Sequence, residues 1–147
     1  MPDRITPGPI HHLRMTVTDL DRSRRFYTEV LGFQVAVGEP PPPDHPQHAP
    51  IAEALRGGIV LVNGDLLFGL RPAAPAGDRF DEDRVGLDHL SFAVSGRDDL
   101  ERAARALDEW GVPRGEIKDL GPGFGLYVLP FRDPNNIQLE LTAPYGA

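Results

Sequence analysis

An α+β fold built as two βαβββ modules is predicted by three observations on this chain. A strand-like segment occurs twice. An amphipathic helix follows each copy and stops at a glycine. Three more strand-like segments follow each helix. The repeat is the strongest of the three, because self-similarity reveals an architecture before any single element does.

The opening strand of the first module is His12-Leu13-Arg14-Met15-Thr16-Val17, and its partner is His89-Leu90-Ser91-Phe92-Ala93-Val94. Both begin His-Leu and alternate apolar with polar residues at period two, the pattern of a half-buried strand. Polar stretches follow, Thr18–Ser23 and Ser95–Asp99, whose Asp and Ser side chains suit the exposed amides of a first helical turn. Leu100, Ala103, Ala104, Leu107 and Trp110 then recur at helical steps and predict one apolar stripe, as do Phe26, Tyr27, Val30 and Leu31 in the first module. Gly32 and Gly111 end these helices as left-handed caps. The remaining strands are expected at Phe33–Val37, Gly58–Val62 and Leu66–Arg71, then at Glu116–Leu120, Gly125–Arg132 and Ile137–Thr142. Asn63-Gly64-Asp65 and Asp133-Pro134-Asn135-Asn136 are turn signals. The expected layout is one domain over 1–147, with module one at about 9–72, a Pro-, Gly- and Asp-rich linker at about 73–85, and module two at about 86–144. The stretch Glu39–Pro50, EPPPPDHPQHAP, is expected to be a surface loop, with a polyproline docking segment as the alternative.

Composition removes several function classes. With no cysteine among 147 residues, disulfides, thiolate metal sites and thiol nucleophiles are excluded. A net charge of -7 argues against nucleic-acid binding, which needs a basic face. No apolar run approaches the roughly 18 residues that span a bilayer. The N-terminus MPDRITPGPI lacks the layout of a secretion signal, so a cytoplasmic location is the expectation.

Strand parity sorts the chemistry. Leu13, Met15 and Val17 share the face that packs under the helix, leaving His12, Arg14 and Thr16 on the other. Leu90, Phe92 and Val94 oppose His89, Ser91 and Ala93 in the same way. In the last strand Ile137, Leu139 and Leu141 oppose Gln138, Glu140 and Thr142. Each of three strands thus places one metal-competent side chain, His12, His89 or Glu140, on its non-helix face. Two imidazoles and a carboxylate suit one divalent ion with open positions for substrate or water. Singly, each of these residues is more often a surface or hydrogen-bonded group; the repeat-related pairing of the histidines is what favours a site. His11 faces away from His12 by alternation and is not counted. His45 and His48 are expected to be exposed in the proline-rich loop, and Phe124 and Tyr127 to pack in a sheet core, with lining of a cavity as the alternative.

The segments HLRMTVTDLDRSRRFYTEVLGF (12–33), LDHLSFAV (87–94) and FRDPNNIQLELTAP (131–144) resemble the vicinal oxygen chelate superfamily. That superfamily groups glyoxalase I, extradiol dioxygenases, fosfomycin-resistance proteins, methylmalonyl-CoA epimerase and bleomycin-resistance proteins. The resemblance implies mixed sheets that curl around a shared cavity, one divalent metal (Ni, Mn, Fe, Co or Zn) bound by His12, His89 and Glu140, and a homodimer. Glyoxalase I and the epimerase carry a fourth Glu or Gln ligand where this chain has Gly69, which has no side chain to ligate. The tyrosine of the extradiol enzymes falls at Pro130. The hydroxyl residues of the fosfomycin enzymes fall at Arg14, Val128 and Pro130. No single activity of the family is carried over whole.

If the family's facing holds, Arg14, Arg71 and Arg132 lie near the cavity and favour a small anionic substrate; the alternative is that they end strands and face water. Glu140 or a metal-bound water is the candidate base. Two functions follow: a metalloenzyme acting on an oxygen-chelating substrate, or a metal-free drug-sequestering protein of the bleomycin-resistance kind. A partner-binding protein with a relic site is a third, weaker reading.

Overall fold

A computed structural model of the chain describes residues 1–146. It divides into two compact units, with the boundary between Ala74 and Pro75. The first holds β1 (His12–Thr16), α1 (Leu20–Arg25), a π-helical turn at Phe26–Val30, β2 (Gln34–Val37), α2 (His48–Leu55), β3 (Ile59–Asn63) and β4 (Leu66–Arg71). Its sheet order is β1-β4-β3-β2, with β1 parallel to β4 and the other pairs antiparallel. The second unit holds β5 (Leu90–Ala93), α3 (Arg97–Glu109), β6 (Lys118–Asp119), α4 (Gly121–Phe124), β7 (Leu126–Arg132) and β8 (Gln138–Pro144), in the order β5-β8-β7-β6. β5 runs parallel to β8. The two sheets therefore repeat one topology, as the two-module α+β reading expects.

Local chemistry accounts for the elements. The Asp19 carboxylate accepts from the Arg22 amide at 3.0 Å and starts α1. Asp99 does the equivalent for α3, accepting from the Ser95 and Gly96 amides. The π turn turns Phe26 and Tyr27 inward, and both are buried. Tyr27, Phe33 and Phe68 then meet at centroid distances of 4.8–5.7 Å and form an aromatic centre for the first unit. In the second unit Leu100, Leu107, Leu129, Phe131 and Leu139 are buried, so α3 packs on the β7–β8 face that strand parity assigns to it.

Four expectations need correction. Residues 48–50 of the proline-rich stretch belong to α2, and the His48 ring bonds the Pro41 carbonyl. Pro50 is tolerated there because a first-turn amide has no helical acceptor to lose. Trp110 lies beyond α3 and is 53% exposed, so the apolar stripe ends at Leu107. Phe124 is 75% exposed rather than core. His11 precedes β1, so strand alternation does not constrain it, and its ring touches His12. The segment from Pro75 to Val85 packs on the second unit. The Phe80 amide donates to the Asn135 carbonyl at 2.9 Å, and Arg79 donates to the Asn136 side chain.

Candidate metal and substrate site

The polar face of the second sheet is fixed by its register. Ser91 stands opposite Glu140, which stands opposite Pro130; Ala93 stands opposite Thr142, Thr142 opposite Val128, and Val128 opposite Lys118. Leu139 and Ala143, at the alternate positions of β8, are fully buried on the other face. Glu140 is therefore held by its neighbours' burial on the side away from α3.

His89 sits just before β5 and reaches the same place. Its Nε2 lies 3.4 Å from Glu140 Oε2. Its Nδ1 lies 2.5 Å from Asp88 Oδ1. A carboxylate only accepts, so the ring donates to Asp88 through Nδ1–H, and Nε2 is the ring atom turned toward Glu140. This carboxylate–imidazole arrangement commonly orients a metal-bound histidine. Two donors each about 2.1 Å from one ion, at the tetrahedral angle, lie about 3.4 Å apart. The His89–Glu140 separation fits a shared divalent cation.

In the first unit, His12 is exposed on β1. Its Nδ1 lies 2.9 Å from His11 Nδ1, with the rings edge to face. Its Nε2 has no partner among the described residues. Among the described residues, no three His, Asp or Glu side chains gather as one metal-holding group.

The three arginines differ in what they hold. Arg14 donates to the Ala54 carbonyl at 2.9 Å and to the Leu55 carbonyl, so it caps the C-terminal end of α2. Its stem lies over Gly69, its partner in the β1–β4 register; a Cβ on Gly69 would come 2.9 Å from Arg14 Cγ. This stem fills the space that a side chain at position 69 would need. Arg132 makes a two-pronged ion pair with Glu82, at 2.6 and 3.0 Å, and also bonds the Asn136 carbonyl. That guanidinium holds the Glu82 carboxyl down at about 2 from an ordinary 4.5, and the carboxylate in turn raises Arg132. Arg71 ends β4, half-buried, with no charged partner among the described residues.

Strand parity alone could not find Asp88 or Glu82. Asp88 is visible as an acid next to a candidate ligand, but Glu82 is 50 residues from Arg132 and carries no sequence signal.

Residues 9–141 match the family model described as Glyoxalase/Bleomycin resistance protein/Dioxygenase superfamily. The uncharacterized protein YwkD of Bacillus subtilis (strain 168) is 31% identical over 132 residues, covering 90% of this chain and 94% of that protein. A glyoxylase/bleomycin resistance protein/dioxygenase domain from Frankia sp. EAN1pec has a solved structure that matches with a TM-score of 0.70 at 29% identity, over 95% of this chain and 99% of that one. The fosfomycin resistance protein FosX from Listeria monocytogenes matches with a TM-score of 0.70 over 96% of this chain and 97% of that one; at 14% identity this is a likeness of fold alone. The chain belongs to the glyoxalase/bleomycin resistance protein/dioxygenase superfamily.

Proposed function

We propose that this protein is a divalent-metal enzyme, cytoplasmic and homodimeric, that acts on a small anionic substrate through two neighbouring oxygens. His12, His89 and Glu140 are its metal ligands in this reading. The observation that carries it is the Asp88–His89–Glu140 alignment, in which Asp88 holds Nδ1 of His89 and Nε2 stands 3.4 Å from a Glu140 oxygen, a separation two ligands of one ion can have. A cation bound there supplies Lewis-acid polarisation of substrate oxygens.

The chain's own groups do the rest. Asp88 keeps His89 in one tautomer. Glu140, with its side chain 16% exposed, is the candidate base in this reading. Of Arg14, Arg71 and Arg132, Arg71 is the one whose side chain has no partner among the described residues, and in this reading it contributes positive charge from β4. Arg14 and Arg132 contact substrate only by exchanging the partners they now hold.

Metal analysis of untagged protein tests the proposal. One bound metal per chain, lost in Glu140→Ala, is expected. Metal-free protein that binds an aromatic drug tightly would favour sequestration instead. Turnover screens with diketone–thiol adducts, catechols and fosfomycin, each with several metals, then identify the reaction class.

A further inference from the structure

A cavity of about 320 Å³ opens on the polar face of the second sheet, lined by Arg114, Lys118, Pro130, Arg132, Gln138 and Glu140 among others. Three of these residues are cations, and their charges are disposed of differently. Arg132 is neutralised by Glu82. Arg114 is gripped by both oxygens of Asp108 at 2.8 Å, with Glu116 3.9 Å away. Asp108 is held below the ordinary carboxylate range by that contact. Lys118 has no ion-pair or hydrogen-bond partner among the described residues. It is the one uncompensated cation lining the cavity.

Lys118 is also the single lysine of a chain that otherwise uses arginine for all its basic side chains. An ammonium is a compact charge on a flexible stem with three donors, and it grips an oxyanion without the fixed plane a guanidinium imposes. The register puts Lys118 on the same face as Thr142 and Glu140. Ser91 Oγ and Thr142 Oγ1 lie 2.5 Å apart on that face. One hydroxyl of this pair donates to the other, and the acceptor's own proton is left for a ligand. From β6 to β8 is two strand spacings, about 10 Å, and a lysine stem covers about half of that. The gap suits a ligand only a few atoms long.

We infer that Lys118, with the free hydroxyl proton of the Ser91–Thr142 pair, forms an oxyanion subsite that receives a phosphonate or carboxylate end of the substrate while its other oxygens face Glu140. The inference deepens the proposed function, but its test is made without metal, so the two can fail separately. Reductive methylation with carbon-13 formaldehyde gives one dimethyl-lysine resonance, distinct from that of the amino terminus. In metal-free protein, methylphosphonate and acetate are titrated while that resonance is followed. A saturable shift is expected. Binding by calorimetry to the unmodified chain should weaken at least tenfold in Lys118→Gln, recover substantially in Lys118→Arg, and stay unchanged in Arg105→Gln. Tighter binding of methylphosphonate than of acetate identifies a phosphonate or phosphate end; the reverse identifies a carboxylate. Absence of saturable binding to either anion, or equal binding by Lys118→Gln, overturns the subsite. Metal binding by Lys118→Gln should remain as in the unaltered chain.

Discussion

Gly69→Ala tests how the first unit is assembled around Arg14. The new methyl would sit 2.9 Å from Arg14 Cγ, 3.4 Å from Cδ and 3.5 Å from Cβ. Those atoms are mid-stem, and the guanidinium beyond them is tied to the Ala54 and Leu55 carbonyls, so the stem cannot move aside without loosening both bonds. A hydrogen bond to a charged group is worth about 1.5–3 kcal/mol when shielded. Arg14 is exposed, so about 1–3 kcal/mol for the two together is the reasonable loss. Replacing glycine by alanine inside a strand returns about 0.5–1 kcal/mol. The net prediction is destabilisation centred near about 1 kcal/mol, within about 0–2.5 kcal/mol, in the native background. In an Arg14→Ala background the methyl enters vacated space, and the same change should stabilise by about 0.5–1 kcal/mol. Urea unfolding followed by far-ultraviolet dichroism, with unchanged slope, measures all four corners of the cycle. Equal effects of Gly69→Ala in both backgrounds, within about 0.5 kcal/mol, would refute the reasoning.

Three further outcomes follow from other contacts. Glu82 titrates at about 2 folded against an ordinary 4.5, so its contribution is complete above pH 4.5 and is lost as pH falls toward 2. Glu82→Gln should therefore narrow its stability deficit across that window, and a deficit independent of pH would contradict this. Asp88→Asn should lower metal affinity about 10- to 100-fold in chelator competition while leaving the fold intact, because the tautomer of His89 is no longer enforced; unchanged affinity would remove Asp88 from the site. Phe68 is fully buried against Tyr27 and Phe33, so Phe68→Ala should cost about 3–5 kcal/mol in the same urea assay. A cost below about 1 kcal/mol would mean that this aromatic centre is not the core of the first unit.

The parts of the fold legible in the sequence were those set by local periodicity. β4 occupies the expected residues 66–71, and Asp19 caps α1 from the polar stretch that predicts a helix start. α2 was hidden because four prolines in a row dominate the signal just upstream, although Pro50 itself is harmless in a first turn. Phe124 has an apolar side chain but sits in the short helix α4, whose neighbours are mostly glycine and proline and offer nothing to bury it. Tyr127 instead stacks on Tyr145 at 4.5 Å, with the Arg97 guanidinium 5.1 Å from its ring centre. For the candidate site, parity correctly set Glu140 on the face opposite Leu139. It could not say what each arginine holds, because Ala54 and Glu82 lie 40 and 50 residues from their partners. Lys118 carries a sequence signal of its own as the single lysine of the chain.

Titration of the metal-free, untagged chain with cobalt(II), read by its visible absorption, tests the three-ligand site most directly. The unaltered chain and His11→Ala should each take up one equivalent, whereas His12→Ala, His89→Ala and Glu140→Ala should each lose the tight-binding band. A chain that develops no cobalt band, or that keeps it after His89 and Glu140 are both replaced, would contradict the site.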